Sequence, residues 1–245
     1  MERGKGGYNP AMSDLGDLLE LMHTTQSRYS NVRAVVDEWS KPRVWKASTE
    51  RYATIRPPQP GFHVHLSLTH DRQRALPETK DCNYRIWHVR DGDLWRVEIL
   101  EEGGRFRAKI AGERHAFWIS DGKAPTLETR QPGRSFRWSG VGISADRFLE
   151  VLFNPGSLLG LVSLVVVGRE THAGRQSIAA LLQFRPEVDL DDIDWPYADE
   201  TRILVDAQYG VLLSLELFLD GQPFIRWQVN EIAFDETFPE STFEP

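Results

Sequence analysis

Between residues 201 and 234, three runs of Val, Ile, Leu and aromatic residues are broken only by Ala207-Gln208-Tyr209-Gly210 and by Asp220-Gly221-Gln222. Short breaks that carry glycine suit tight antiparallel connections, because glycine takes positive φ at no steric cost. This pattern predicts a three-stranded meander.

Upstream, Leu15, Leu18, Leu19, Met22, Gln26 and Tyr29 recur at helical spacing. They predict an amphipathic helix over 14–29, capped by Ser13, with Asp14 and Asp17 at the positive end of its dipole. Val32, Ala34 and Val36 then alternate with Asn31, Arg33, Val35 and Asp37, a strand period. Residues 39–60 mix charges with four prolines and read as a broken strand and a loop. Val64, Leu66 and Leu68 alternate with His63, His65, Ser67 and Thr69, and 70–82 reads as a polar loop.

Runs over 84–89 and 94–100 flank Asp91-Gly92-Asp93, a hairpin signal. Further strands are expected near 106–110, 115–119 and 136–138. A second helix is expected over 145–153, where Phe148, Leu149, Leu152 and Phe153 share a face before Pro155-Gly156. A third hairpin pairs 164–170 with 176–184 across residues 171–175. The acidic, proline-bearing stretch 187–200 reads as a surface loop, and a short 235–243 segment ends the chain.

About ten hairpin-connected strands and two helices do not suit a parallel sheet, which alternates strand and helix throughout. An open antiparallel sheet of this size curls or splits. The expected fold is α+β, mainly β: a large curved antiparallel sheet forming an incomplete barrel, with helices in its concave side. One domain over 1–245 is expected, with 1–12 as a flexible tail.

Composition adds bounds. With 245 residues, 40% hydrophobic and 27% charged, the chain can bury one substantial core. No apolar run approaches the roughly 20 residues of a spanning helix. The N-terminal residues lack the apolar stretch of a secretory signal, which predicts a cytoplasmic protein if Met1 is the natural start. The lone Cys82 allows no internal disulfide and fits a reducing compartment.

The net charge of -7 is uneven: residues 187–245 hold fifteen acidic side chains against Arg202 and Arg226. Such an acidic end disfavours nucleic acid as a partner. It reads either as a solvated face or as a docking site for a basic protein at the 187–200 loop.

Several short motifs look familiar together. LFNPGSLLG (152–160) is followed by Val167-Gly168-Arg169-Glu170 and Ala173-Gly174-Arg175. Thr201-Arg202, Val205-Asp206-Ala207 and Tyr209-Gly210-Val211-Leu212-Leu213 follow. Asp220-Gly221, Val229-Asn230-Glu231-Ile232 and Phe234-Asp235-Glu236 complete the order, and residues 91–98 (DGDLWRVE) precede it. The sequence resembles the lipoprotein carrier superfamily in its actinobacterial forms, whose relatives include LolA, LppX and the sensor domain of RseB. The resemblance implies an incomplete barrel with helices in its hollow and an apolar cavity between them. It also implies binding of acyl chains or lipoproteins, or restraint of a regulatory partner, and no enzymatic activity. Members of that superfamily usually act outside the cytoplasm, behind a signal peptide.

Candidate reactive groups are sparse. His63 and His65 share a strand face near His70 and Asp71, but Leu66-Ser67-Leu68-Thr69 stands where a metallohydrolase places further ligands. They are the one residual candidate for a hydrolase. His65-Leu66-Ser67-Leu68 matches half of a two-histidine phosphoesterase signature, with no second copy. No serine sits on a Gly-x-Ser-x-Gly elbow, and no glycine-rich phosphate loop opens a helix. No catalytic residue, metal or cofactor is therefore assigned.

Eight tryptophans and twelve phenylalanines are more telling. Most belong to a core, yet a half-barrel leaves room for some to line a pocket for an apolar ligand. Burial of each methylene is worth about 0.8 kcal/mol, so an acyl chain binds without precise polar contacts. The expected lining is Val64, Leu66, Leu68, Trp95, Val97, Ile99, Phe117 and Ile119. The expected lid is Leu15, Leu18, Leu19 and Met22 of the first helix with Phe148 and Leu152 of the second. The expected function is a non-enzymatic binding protein for a lipid or other hydrophobic molecule. The alternative is an RseB-like regulatory or scaffold module, its cavity filled by its own helices and a protein as its partner.

Overall fold

A computed structural model describes residues 10–56, 77–91, 94–101, 105–112, 116–120, 126–129, 143–190, 193 and 195–243. Eleven strands form one sheet: β1 (Asn31–Ser40), β2 (Lys80–Val89), β3 (Leu94–Glu101), β4 (Arg105–Gly112), β5 (Ala116–Ser120), β6 (Thr126–Thr129), β7 (Val162–His172), β8 (Arg175–Phe184), β9 (Glu200–Asp206), β10 (Leu212–Leu219) and β11 (Gln222–Phe234). Their order is β6-β5-β4-β3-β2-β1-β11-β10-β9-β8-β7. Every pairing is antiparallel. Two meanders therefore run outward from a seam where β1 meets β11, and the sheet stays open, with β6 and β7 at its ends.

Curvature has a local cause. Register shifts interrupt the β7–β8, β9–β10, β10–β11 and β1–β11 pairings, at Val166/Gly168, Leu212/Ser214, Leu217/Phe218 and Val35/Val36. An extra residue on one strand bends it and increases the local twist, so repeated bulges curl this half of the sheet. The β7–β8 turn places Ala173 at φ 49 and Gly174 at φ 74, and the β10–β11 turn places Asp220 at φ 50 and Gly221 at φ 74. Both turns have the positive-φ pairs that tight hairpins need.

Three helices accompany the sheet: α1 (Pro10–Thr24), α2 (Pro42–Ile55) and α3 (Ile143–Phe153). α1 packs against β7 and β9, and α3 against β10. Helix α1 starts earlier than its pattern suggests, so Ser13 lies inside it and no acidic residue occupies its first turn. Asp14 and Asp17 instead pair with Arg169 of β7, at 2.7 and 3.5 Å.

Helix α2 replaces the expected loop. Pro42 sits at its first turn, where a missing N–H costs nothing. Trp45, Ser48 and Tyr52 fall at helical spacing, and Ser48 is buried, its hydroxyl donating to the Tyr197 carbonyl at 2.5 Å. Its buried position is a serine rather than an aliphatic residue, so hydropathy gives no helical stripe and the stretch reads as a broken strand and a loop. The 187–200 stretch is likewise not simply a surface loop, since Leu190 and Trp195 are buried. Tyr52 ties it to α2, donating to Asp189 at 3.0 Å and accepting from the Leu190 N–H at 2.9 Å.

The expected strand at 136–138 lies outside the described residues, as do Val64, Leu66, Leu68, His63, His65, His70 and Asp71.

Candidate ligand site on the concave face

Alternation along the central strands divides the sheet into two faces. Val32, Ala34 and Val36 of β1, Tyr84 and Ile86 of β2, and Val97 and Ile99 of β3 are all buried. Cross-strand registry joins them into rows, because directly opposite residues share a face. One row runs Ala34, Ile86, Val97, Lys109, Ile119; the next runs Val32, His88, Trp95, Ala111, Phe117. The five expected lining positions that fall within the described strands, Trp95, Val97, Ile99, Phe117 and Ile119, thus belong to rows of one parity. In the β3–β4 register Lys109 is opposite Val97 and Arg107 opposite Ile99.

On the other side of the seam a row runs Ala180, Ile203, Leu215, Trp227, Glu38, Cys82. All six are buried. Glu38 is the one charged member, and its carboxylate accepts from the Tyr84 hydroxyl at 2.6 Å. The Tyr84 ring lies 4.9 Å from that of Trp227. Sequence reasoning overlooked Glu38, although the inward parity of Val32, Ala34 and Val36 continues directly to it.

The lid helices rest on these rows. Leu18 and Met22 of α1 and Leu152 of α3 are 0% exposed, Phe148 is 1% exposed, and Leu15 packs partly buried against the core. Leu19 does not take part: at 41% exposure it points away from the sheet, and Leu21 takes the buried place beside Met22. The early start of α1 does not alter spacing; the stripe follows 18, 21, 22 and 25, with Thr25 rather than Leu19 completing it. On α3, Leu149, Val151 and Phe153 are buried as well.

The C-terminal end of α1 is held closely. Thr25 Oγ1 lies within hydrogen-bond reach of the carbonyls of Leu21, Met22 and Gly210, at 2.8, 3.0 and 3.0 Å. Gly210 has φ +77, and a Cβ there would lie 2.2 Å from the Leu21 carbonyl oxygen; one on Gly156 would lie 2.8 Å from that of Met22. Just beyond, the buried Tyr29 hydroxyl donates to the Phe153 carbonyl at 3.0 Å, joining α1 to the end of α3. Burial raises the Tyr29 pKa well above its ordinary value.

Two surface clefts lie elsewhere. One, about 410 Å³, is lined by Asp37, Trp39, Asp81, Asn83 and Arg226, and Glu38 and Cys82 of the buried row also border it. The other, also about 410 Å³, is polar, with Arg28, Asn31, Arg90 and Asp235 at its walls. Among the described residues, no three His, Cys, Asp or Glu side chains are grouped to hold a metal ion, and no helix is long and apolar enough to cross a membrane. In the 187–200 stretch, Asp189 is bonded to Tyr52 and Asp199 pairs with Arg51 at 3.4 Å, so these carboxylates serve internal contacts.

No protein-family model matches the chain, and no curated protein matches it. Solved structures do. A crystal structure of MucB matches with a TM-score of 0.53 and 14% identity, over 99% of this chain and 64% of that one. The chain thus spans less than two thirds of the MucB chain. Lipoprotein LppX from Mycobacterium tuberculosis matches with a TM-score of 0.46 and 9% identity, over 91% of this chain and 94% of that one. A LolA superfamily protein from Nitrosomonas europaea matches with a TM-score of 0.35 and 10% identity, over 96% and 97%. The organisms differ, so the actinobacterial form is not singled out.

These matches overturn the expectation of a cytoplasmic protein. The matched structures include one described as a lipoprotein and one as a LolA superfamily protein, and a likeness of fold at this identity assigns the chain no compartment in place of the one expected. The N-terminal argument depended on Met1 being the natural start, and no residue of the chain establishes that. The chain has an open half-barrel fold, similar to that of MucB.

Proposed function

We propose that the chain is a non-catalytic binding protein that holds a lipid or other hydrophobic ligand between its concave sheet face and its helices. The observation that carries this reading is the character of the α1 and α3 contact. Leu18, Met22, Phe148 and Leu152 lie on rows of Val, Ile, Leu and aromatic residues, in a sheet whose edges β6 and β7 do not meet. An acyl chain entering there exchanges one apolar contact for another. Each methylene buried contributes about 0.8 kcal/mol, so a chain of modest length offsets the partial displacement of a helix.

The test is native mass spectrometry after gentle purification, followed by titration with fluorescent fatty acids. A co-purifying lipid or saturable binding is the expected result. A ligand-free protein that also fails to take up the fluorescent probes overturns the reading.

A second reading has its own support: the described part of the hollow is filled by the protein's own helices, as a regulatory module with a protein partner requires. MucB has been crystallised with MucA. On this reading the surface, with Glu187 and its acidic neighbours or elsewhere, engages a protein. Recovery of a stoichiometric protein from native extract, with no lipid in either component, is its expected signature.

A further inference from the structure

Two indole N–H groups under helix α3 have no hydrogen-bond partner among the described residues. Trp227 is 0% exposed and Trp195 is 4% exposed, and in both the Nε1 atom is buried with no acceptor among the described residues. A buried tryptophan N–H ordinarily finds an acceptor, because the group forfeits its hydration on folding and regains nothing if left alone. One such group in a core is an exception. Here both flank the same side chain: the Phe148 ring lies 4.8 Å from that of Trp195 and 5.7 Å from that of Trp227. Phe148 offers neither of them an oxygen or nitrogen acceptor. If filling space were the whole requirement, phenylalanine at either tryptophan position would avoid the orphaned donor.

The surroundings set the character of what is missing. Trp227 is opposite Glu38 in the β1–β11 register, and Tyr84, in contact with the Trp227 ring, donates its proton to Glu38. This end of the hollow is therefore its polar end. The rest of the contact surface, with Leu18, Met22, Leu152, Ile203 and Leu215, is aliphatic. Unmet donors at one end and aliphatic rows beyond them match an amphiphile whose head carries acceptor oxygens.

We propose that the indole N–H groups of Trp195 and Trp227 receive the carbonyl or carboxylate oxygens of an acyl ligand that displaces Phe148, its chain lying along the aliphatic rows. This rests on the hydrophobic-ligand reading and narrows it: the site takes acyl groups and discriminates against a bare alkyl chain. A site built to hydrogen-bond a group rejects analogues that lack it, since its own polar atoms then stay unpaired. The shared feature is an sp² oxygen, which a free fatty acid and an ester both supply.

The experiment compares dodecanoic acid, methyl dodecanoate and dodecane as competitors of a fluorescent fatty acid. It uses the wild-type protein and the Trp195→Phe, Trp227→Phe and double variants. Wild type is expected to prefer the acid and the ester over dodecane by about tenfold or more, as two neutral hydrogen bonds imply. The double variant is expected to lose most of that preference, read as the ratio of acid or ester affinity to dodecane affinity within the same variant. Preference for the acid but not the ester identifies a free fatty acid as the ligand; equal preference identifies the acyl carbonyl itself. An unchanged preference in the double variant, as when a buried water already occupies the indoles, overturns the proposal. A wild type that binds dodecane equally well overturns it too but leaves the hydrophobic-ligand reading standing. Failure of every probe to bind ends both. Should the variants not fold, the eight indole N–H resonances of the ¹⁵N-labelled wild type decide the matter. Two should move on adding methyl dodecanoate and not on adding dodecane; none moving selectively overturns the proposal.

Discussion

Gly210 shows how a single position fixes where a helix can lie. Its φ of +77 already disfavours any side chain, and a Cβ would lie 2.2 Å from the Leu21 carbonyl oxygen, a backbone atom that cannot swing aside. Gly174 has nearly the same φ, +74, but no atom within 4 Å of the added Cβ. The two substitutions therefore separate conformational strain from close approach. Gly174→Ala should cost only the left-handed strain, about 1–2 kcal/mol. Gly210→Ala should cost about 3–5 kcal/mol, because the overpacking against α1 adds to that strain. Urea unfolding midpoints of the two variants check this, and equal losses would show that α1 does not press on Gly210. Asp206 illustrates the same economy at a neighbouring position: fully buried, it accepts from the Gln208 and Tyr209 N–H groups and pairs with Arg175, which holds the β9–β10 turn that carries Gly210.

The elements carry two further expectations. Leu18 and Leu19 are adjacent on α1, yet the first is 0% exposed and the second 41%. Leu18→Ala should cost about 2–5 kcal/mol by leaving a cavity under the helix, and Leu19→Ala should cost well under 1 kcal/mol. Thermal or urea denaturation would distinguish them, and similar losses would place the stripe elsewhere. Tyr29 couples α1 to α3 in a way that depends on pH. Its raised pKa means that the unfolded chain, with a phenol near 10, releases the proton first. The contribution is complete below that pH and is lost as the pH climbs through 10 toward the folded value, at up to about 1.4 kcal/mol per unit. Tyr29→Phe should lack that alkaline slope while being less stable at neutral pH by about 1–3 kcal/mol, since the Phe153 carbonyl loses its donor. Stability curves at pH 8 to 11 for both proteins test it. These elements also show what the sequence made legible. The meander, the β2–β3 hairpin and α3 were readable because strict alternation or helical spacing coincided with turn residues. Helix α2 was hidden because its buried position is Ser48, held by a hydrogen bond that hydropathy does not register. Trp195 was hidden in an acidic stretch for a similar reason: one aromatic anchors a segment whose average polarity reads as solvent-facing.

At the scale of the molecule, the site depends on a seam formed by residues nearly two hundred positions apart, where Glu38 of β1 meets Trp227 of β11. Inward parity along each strand could be read separately, but the row that joins Leu215, Trp227, Glu38 and Cys82 exists only once the register of four strands is fixed. That is why inward parity on single strands is legible in the sequence and the meeting of Glu38 with Trp227 is not. The same layout decides which helix can yield. The C-terminal end of α1 is pinned by Thr25 to Leu21, Met22 and Gly210, with Gly156 pressed against the Met22 carbonyl. Helix α3 contacts β10 chiefly through apolar side chains, and its last residue receives the Tyr29 hydroxyl. A ligand beneath Phe148 should therefore tilt α3 about its Phe153 end and leave α1 seated. Hydrogen exchange with saturating dodecanoic acid tests this directly. Amides of α3 should exchange faster, those of β10 and β11 should stay protected, and those of α1 near Thr25 should not change. Global stability should nevertheless rise, by about 2.7 kcal/mol at a free ligand concentration one hundred times Kd, because the ligand binds only the folded chain. Faster exchange in α1 with α3 unaffected would assign the lid to the other helix. Slower exchange in both would mean that the ligand settles over the helices and not beneath them.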